Sequence, residues 1–202
     1  MQDLKRPHHP ELPDDAWRHN IELGMRQLLM TDELAATTAA EHFERTPERV
    51  AKALLEMVQG CFQNPDATLG TTFTARTREM VALRDMDFVS LCAHHFLPFY
   101  GKVHFGYIPN DRIVGLSKIP RLIKVLATRP QIQEELTAQI ADTFERVVQP
   151  QGTIVVMDAV HTCMLVRGVK QYANTRTSAV RGLFLKEPGT VAEFMAGING
   201  HR

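Results

Sequence analysis

The sequence predicts an α+β fold: helices first, then an antiparallel sheet whose strands are interrupted by a pair of helices. Three observations predict it. Val50, Leu54, Met57, Val58 and Cys61 recur at helical spacing in the first part of the chain. From about Glu79 the texture turns strand-like, and Thr153 to Val166 is the strongest strand in the chain. Between these lie two amphipathic helical stretches, one with Ile119, Leu122, Ile123 and Leu126 as its apolar stripe.

In order, residues 1–12, with Pro7 and Pro10, read as a flexible lead-in to a helical region over 13–70. Asp14 is placed to cap a helix running to about Met30, and Thr31-Asp32 restart one through Arg45. Thr46-Pro47-Glu48 opens a third, with Thr as N-cap and Pro in the first turn. Cys61 is then explained as core. A second domain covers 71–202. Its strands are expected at Met80–Leu91 and at Phe99–Ile108, the latter closed by the turn Pro109-Asn110-Asp111. Gly115-Leu116-Ser117-Lys118 leads into the next helix. Another follows Arg129-Pro130, with Ile132, Leu136, Ile140 and Phe144 at i, i+4 spacing. Thr175–Leu185 is expected to pair with Thr153–Val166, and a helix near Thr190–Ile198 ends the chain.

Composition bounds the function. A chain of 202 residues, 44% hydrophobic, can bury one good core. Net charge is zero, so bulk attraction to nucleic acid or membrane is not indicated. Three cysteines do not make a disulfide framework and fit a reducing, cytoplasmic setting. The charge is segregated, however. Arg112 to Arg129 holds five basic residues and no acid, and Met164 to Lys186 holds five more. Such segments suit a compact anion.

Two motifs carry the chemistry, Cys92-Ala93-His94-His95 and His161-Thr162-Cys163. Thiolate and imidazole are the donors that hold Zn²⁺ tetrahedrally, and three protein ligands leave a fourth position for water, as in catalytic sites. The i, i+3 spacing lets Cys92 and His95 converge if the chain turns there; spacing alone does not decide between His94 and His95. If the strand runs from Val155 to Arg167, alternation puts His161, Cys163 and Arg167 on one face. Ile154, Val156, Val160, Met164 and Val166 would share the other and meet the helices. Ser117, Lys118 and Arg121 stand at a helix start, where free N–H groups favour phosphate. Gln133 and Glu134 open the next helix with an amide and a carboxylate suited to the donors of a guanine edge.

These pieces in this order resemble the GTP cyclohydrolase I family. The resemblance is tightest over Ser90–Phe96, Gly115–Lys118, Arg129–Glu134 and His161–Gly168, and Thr177–Gly182 resembles the family's closing strand. It implies a tunnelling fold, in which antiparallel sheets from several subunits close into a barrel with helices outside. It also implies a decamer of two stacked pentamers with active sites at subunit interfaces, and conversion of GTP to dihydroneopterin triphosphate and formate. By position, Cys92, His95 and Cys163 correspond to zinc ligands, His161 to the catalytic acid/base, and His94 to the histidine supporting the purine and the activated water. Glu134 with Gln133 corresponds to the guanine site; Ser117, Lys118, Arg121 and Arg167 correspond to the ribose and triphosphate contacts. Two departures stand out. Ala93 occupies a position where the family usually has Glu, and the stretch from Gly168 to Thr177 is about one residue shorter. Two other readings remain: a related tunnelling-fold enzyme acting on another purine or pterin, and a non-catalytic assembly protein stapled by zinc.

Overall fold

The computed structural model describes residues 15–29 and 42–199. The lead-in over 1–12, the cap at Asp14 and most of the helix expected from Thr31 lie outside the described residues. Two units divide the chain, Met1–Gln63 and Asn64–Arg202. The first contains helices α1 (Asp15–Leu29) and α2 (Thr46–Val58), followed by a 3₁₀ turn, Gln59–Phe62. Residues 43–45 form a turn, so no helix runs through Arg45. Thr46 is not the cap of α2 but its first residue; its hydroxyl donates back to the His42 carbonyl (3.3 Å), and Pro47 occupies the first turn, where its missing N–H costs nothing. Cys61 is half-buried in the 3₁₀ turn rather than in the core.

The second unit is built on a five-stranded sheet of order β5-β2-β3-β6-β7. Its strands are β2 (Val81–Cys92), β3 (Pro98–Ile108), β5 (Pro130–Gln131), β6 (Gly152–His161) and β7 (Asn174–Gly182). All neighbours are antiparallel except the two-residue β2–β5 pair. A separate ribbon pairs β1 (Thr72–Thr74) with β4 (Arg112–Val114), both too short to show in the sequence pattern. Helices α3 (Lys118–Ala127) and α4 (Gln133–Val148) cover one face. The stripe Ile119, Leu122, Ile123 and Leu126 on α3 is buried as the spacing predicts, and so are Leu136, Ile140 and Phe144 on α4, which pack with Phe99, Val103, Phe105, Tyr107, Val155 and Met157. Ile132, expected in the same stripe, precedes α4 as its extended N-cap and is only half-buried. The Val155/Met157/Ala159 side of β6 therefore meets the main helix layer. Ile154 and Val156, expected to do so, lie on the opposite face in a smaller cluster with Ile108, Phe184 and Phe194. Phe194 belongs to α7 (Pro188–Asn199), which follows a single turn, α6 (Leu183–Lys186).

Gly101 shows how tightly β3 and β6 are apposed. A Cβ there would lie 1.9 Å from the Asp158 carbonyl oxygen and 2.9 Å from the Ala159 Cα, both backbone atoms that cannot swing aside. Gly101→Ala is expected to destabilise the second unit by more than the ~1–3 kcal/mol of ordinary overpacking, read as a lowered thermal unfolding midpoint.

Candidate active site

The site forms where β2 and β6 end and β3 begins. β2 stops at buried Cys92 and the chain reverses at once. The His95 and Phe96 N–H groups both donate to the Cys92 carbonyl (3.3 and 2.9 Å), and the Cys92 N–H donates to the Leu97 carbonyl (2.9 Å). Phe96 takes a left-handed φ of 53° to close the turn. That reversal is what an i, i+3 Cys/His pair requires, and Cys92 Sγ lies 3.8 Å from His95 Nδ1. Next to it, the Ala93 N–H donates to the Gln131 carbonyl (2.9 Å), tying the turn to β5. Ala93 is exposed.

β6 ends at His161, not at Val166 as the alternation suggested. The reason lies in its neighbour. The β3 ladder reaches only Phe99 opposite His161, one residue from the start of β3 at Pro98. Beyond that point backbone groups must find partners elsewhere. They do so in one helical turn, α5 (Thr162–Leu165), with the Val166 N–H donating to the Thr162 carbonyl (2.9 Å) and the Thr162 hydroxyl to the Pro98 carbonyl. Strand parity thus does not extend to Cys163 or Arg167. Cys163 is nearly buried, whereas Met164 and Val166 are exposed instead of meeting helices.

A cavity of about 350 Å³ results, with Cys92, His94, His95, Glu134, His161 and Cys163 among its walls. One donor atom each from Cys92, His95 and Cys163 lies within 4.8 Å of the other two. Bonds of ~2.3 Å to sulfur and ~2.0 Å to nitrogen at a tetrahedral angle would set such donors about 3.5–3.8 Å apart. The set fits Zn²⁺ in size and in chemistry. Burial pushes the Cys163 thiol above its ordinary pKa, and the Cys92 sulfur pushes it further, while Arg167 pulls it partly back. A cation between the two sulfurs would favour their ionised, metal-binding form. His94 is also close, with Nδ1 3.9 Å from Cys92 Sγ.

His161 stands apart from this trio in its contacts. Its ring stacks on Phe99 (centroids 4.7 Å, 4° between planes), and its Nε2 lies 2.8 Å from Gln133 Oε1. Burial lowers its pKa below the ordinary 6.5, and the Glu134 carboxylate acts in the opposite sense. Glu134 is exposed in the first turn of α4, whereas its neighbour Gln133 is only 1% exposed. Phe99 is a residue that sequence reasoning passed over, because its place beside His161 depends on strand register.

The expected phosphate contacts lie elsewhere. Ser117 and Arg121 are exposed and Lys118 is half-buried at the start of α3; none of them lines this cavity. The Ser117 hydroxyl makes no capping bond. Arg167 is exposed just beyond α5 and also lines no part of it, although its charge is felt at Cys163.

Two sulfur donors and one nitrogen donor, with a separate histidine on the same cavity wall, make a set that could hold a metal ion in an α+β sheet protein. The chain belongs to the GTP cyclohydrolase I family, whose model matches residues 21–199. It is 44% identical over 191 residues to GTP cyclohydrolase 1 of Deinococcus radiodurans, covering 94% of this chain and 87% of that protein. The protein of the same name from Wolinella succinogenes is 50% identical over 155 residues, covering 76% of this chain and 83% of the relative. That of Thermobifida fusca is 45% identical over 185 residues, with 90% and 88% covered. Among solved structures, the crystal structure of the archaeosine synthase QueF-Like in the apo form matches with a TM-score of 0.42 and 16% identity, covering 53% of this chain and 97% of that one. Among the described residues no helix is long and apolar enough to cross a membrane.

Proposed function

We propose that this chain is a zinc-dependent GTP cyclohydrolase I, a hydrolase of cyclic amidine C–N bonds that converts GTP to 7,8-dihydroneopterin 3'-triphosphate and formate. This is the first step of pterin and folate biosynthesis, placed in the cytoplasm. The observation that carries the reading is the convergence of Cys92, His95 and Cys163 on the wall of a cavity shared with His161 and Glu134. Zinc held by the trio would lower the pKa of a bound water toward neutrality, supplying the nucleophile for C8 of the purine.

The protein's own groups do the rest. Glu134, exposed at the cavity, accepts hydrogen bonds from the guanine N1–H and N2–H₂. His161 gives a proton to the imidazole portion of the purine, which makes C8 electrophilic and then eases opening of that ring. His94, on the same wall, orients the attacking water and the base. After formate leaves, ribose opening, an Amadori-type rearrangement and reclosure require proton transfers, for which Ser117 and the histidines are the candidates.

Ser117, Lys118, Arg121 and Arg167 bind the ribose and triphosphate. None of the four lines the cavity of its own chain, which favours a site completed by a second copy. That fits a homo-oligomer, a decamer of two stacked pentamers with active sites at subunit interfaces. Exposed Val89, Tyr100, Val169 and Tyr172 supply apolar surface for such contacts.

The test is to incubate zinc-loaded protein with GTP and follow formate release and pterin absorbance, with a chelated control. Both products, lost together on chelation, are expected. Formate without pterin would confine the activity to ring opening, and neither product would overturn the reading. The double variant Lys118→Ala/Arg121→Ala is expected to weaken GTP far more than guanosine, by more than the ~1.5–3 kcal/mol of one charged hydrogen bond, measured as the ratio of their binding constants.

A further inference from the structure

Gln133 is the most thoroughly engaged polar side chain near the cavity. Its Nε2 lies 2.9 Å from the Thr175 carbonyl, 3.2 Å from the Met157 carbonyl and 3.1 Å from Thr177 Oγ1. Both carbonyls can only accept, so the amide nitrogen must face them and Oε1 must face His161. An amide oxygen can only accept as well. The 2.8 Å contact is therefore a bond donated by His161 Nε2–H. In the neutral ring this leaves Nδ1 as the nitrogen that accepts a proton.

The network continues outward with every direction fixed. The Thr137 hydroxyl donates to the Gln133 carbonyl (2.7 Å), an obligate acceptor. Its one proton spent, Thr137 must accept from the Thr177 hydroxyl across their 2.7 Å contact. Thr177 then offers its lone pair to Gln133 Nε2. Three elements, α4, β6 and β7, are thus locked around one amide. Phe99 stacks on the ring from β3, so that sheet and helix together restrict its rotation.

We propose that Gln133 is a positioning residue, acting on the reaction through His161 and not by reading the guanine edge. It fixes the ring plane and commits Nε2 as donor to Oε1, which in the neutral ring selects the Nε2–H tautomer. Thr137 and Thr177 hold Gln133 in turn. This rests on the proposed role of His161 as the acid/base.

The test uses Gln133→Met, close in size but unable to accept, in zinc-loaded full-length protein. Zinc content and the thermal unfolding midpoint serve as controls. With GTP, kcat is expected to fall about 10- to 100-fold, part of the ~10²–10⁴ that a positioned acid/base contributes, with KM moving less than about 3-fold. A rise in KM with kcat unchanged would overturn the proposal and return Gln133 to the base-binding site. Thr137→Val, which leaves the amide in place, covers the case in which Gln133→Met does not fold; a smaller fall in kcat at constant KM is expected, and a KM effect would count against the proposal. The tautomer is read independently of turnover by ¹⁵N NMR of histidine-labelled protein, with the His161 signal assigned by its loss in His161→Ala. An Nε2–H ring in the parent protein is expected, and an Nδ1–H ring would refute the assignment even if the enzyme proved fully active. An Nε2–H ring in a protein without cyclohydrolase activity would instead keep the geometry and remove the proposed function.

Discussion

Cys92→Ser and Cys163→Ser are each expected to remove bound zinc and formate release together. The two sulfurs and His95 form a trio whose donors lie within 4.8 Å of one another, so each sulfur is one of three candidate ligands to a single ion. A serine hydroxyl is a poorer, harder donor that does not ionise near neutrality, and the remaining Cys–His pair supplies only two ligands to a metal that wants four. The loss should exceed the ~10–100-fold that removing an outer-shell partner of a metal site costs. Metal analysis of purified variants and a formate assay on the same samples measure both quantities. Cys61→Ser, in the N-terminal unit, is the control and should retain both. Stoichiometric zinc in either of the first two variants would mean that the metal sits elsewhere, and His94, with Nδ1 3.9 Å from Cys92 Sγ, would be the first residue to test as a replacement ligand.

What the sequence displayed of this fold depended on whether a feature is local. The stripes of α3 and α4 are local, since a 3.6-residue period in apolar side chains requires no knowledge of the rest of the chain. They emerged residue for residue at Ile119, Leu122, Ile123 and Leu126. The end of β6 is not local. Nothing in His161-Thr162-Cys163-Met164 announces a turn; the strand stops because the β3 ladder runs out at Phe99, and the alternation drawn through Cys163 and Arg167 failed for that reason. β1 and β4, three residues each, are too short for any period to register. The choice of face on β6 was missed similarly: both sides are apolar because each meets helices, α3 and α4 on one and α7 on the other. A strand buried on both faces carries no alternation to read.

The candidate site divides along the same line. The candidate metal donors were legible because cysteine is scarce and the pairing with histidine is chemically specific. Which histidine joins them required the turn closed by Phe96, and it is His95 that shares the spacing of the two sulfurs. The cations at Lys118, Arg121 and Arg167 could be listed from the sequence, but where they lie relative to the cavity is a matter of tertiary placement. Ala93 also takes a plainer role in the structure. Its backbone N–H holds β5 through the Gln131 carbonyl, and its side chain is not among the cavity walls. A carboxylate missing there leaves the Cys92–His95–Cys163 donor trio and its turn intact.

His161→Ala should separate the proton chemistry from the metal. Its Nε2 is occupied by Gln133 and its ring is sandwiched against Phe99, so it contributes to the cavity as a polar group and not as a member of the donor trio. Zinc content is therefore expected to remain at the parent level while kcat falls by about 10²–10⁴, the range for loss of a positioned general acid/base. GTP binding should change little, because the guanine contact assigned to Glu134 and the phosphate contacts are untouched. The measurements are metal content, a GTP binding isotherm and single-turnover formate release on the same preparation. Loss of zinc from this variant would make His161 a ligand and overturn the division of labour argued here. Intact zinc and binding with unchanged turnover would move the acid/base role to His94, the remaining imidazole on the cavity wall outside the donor trio.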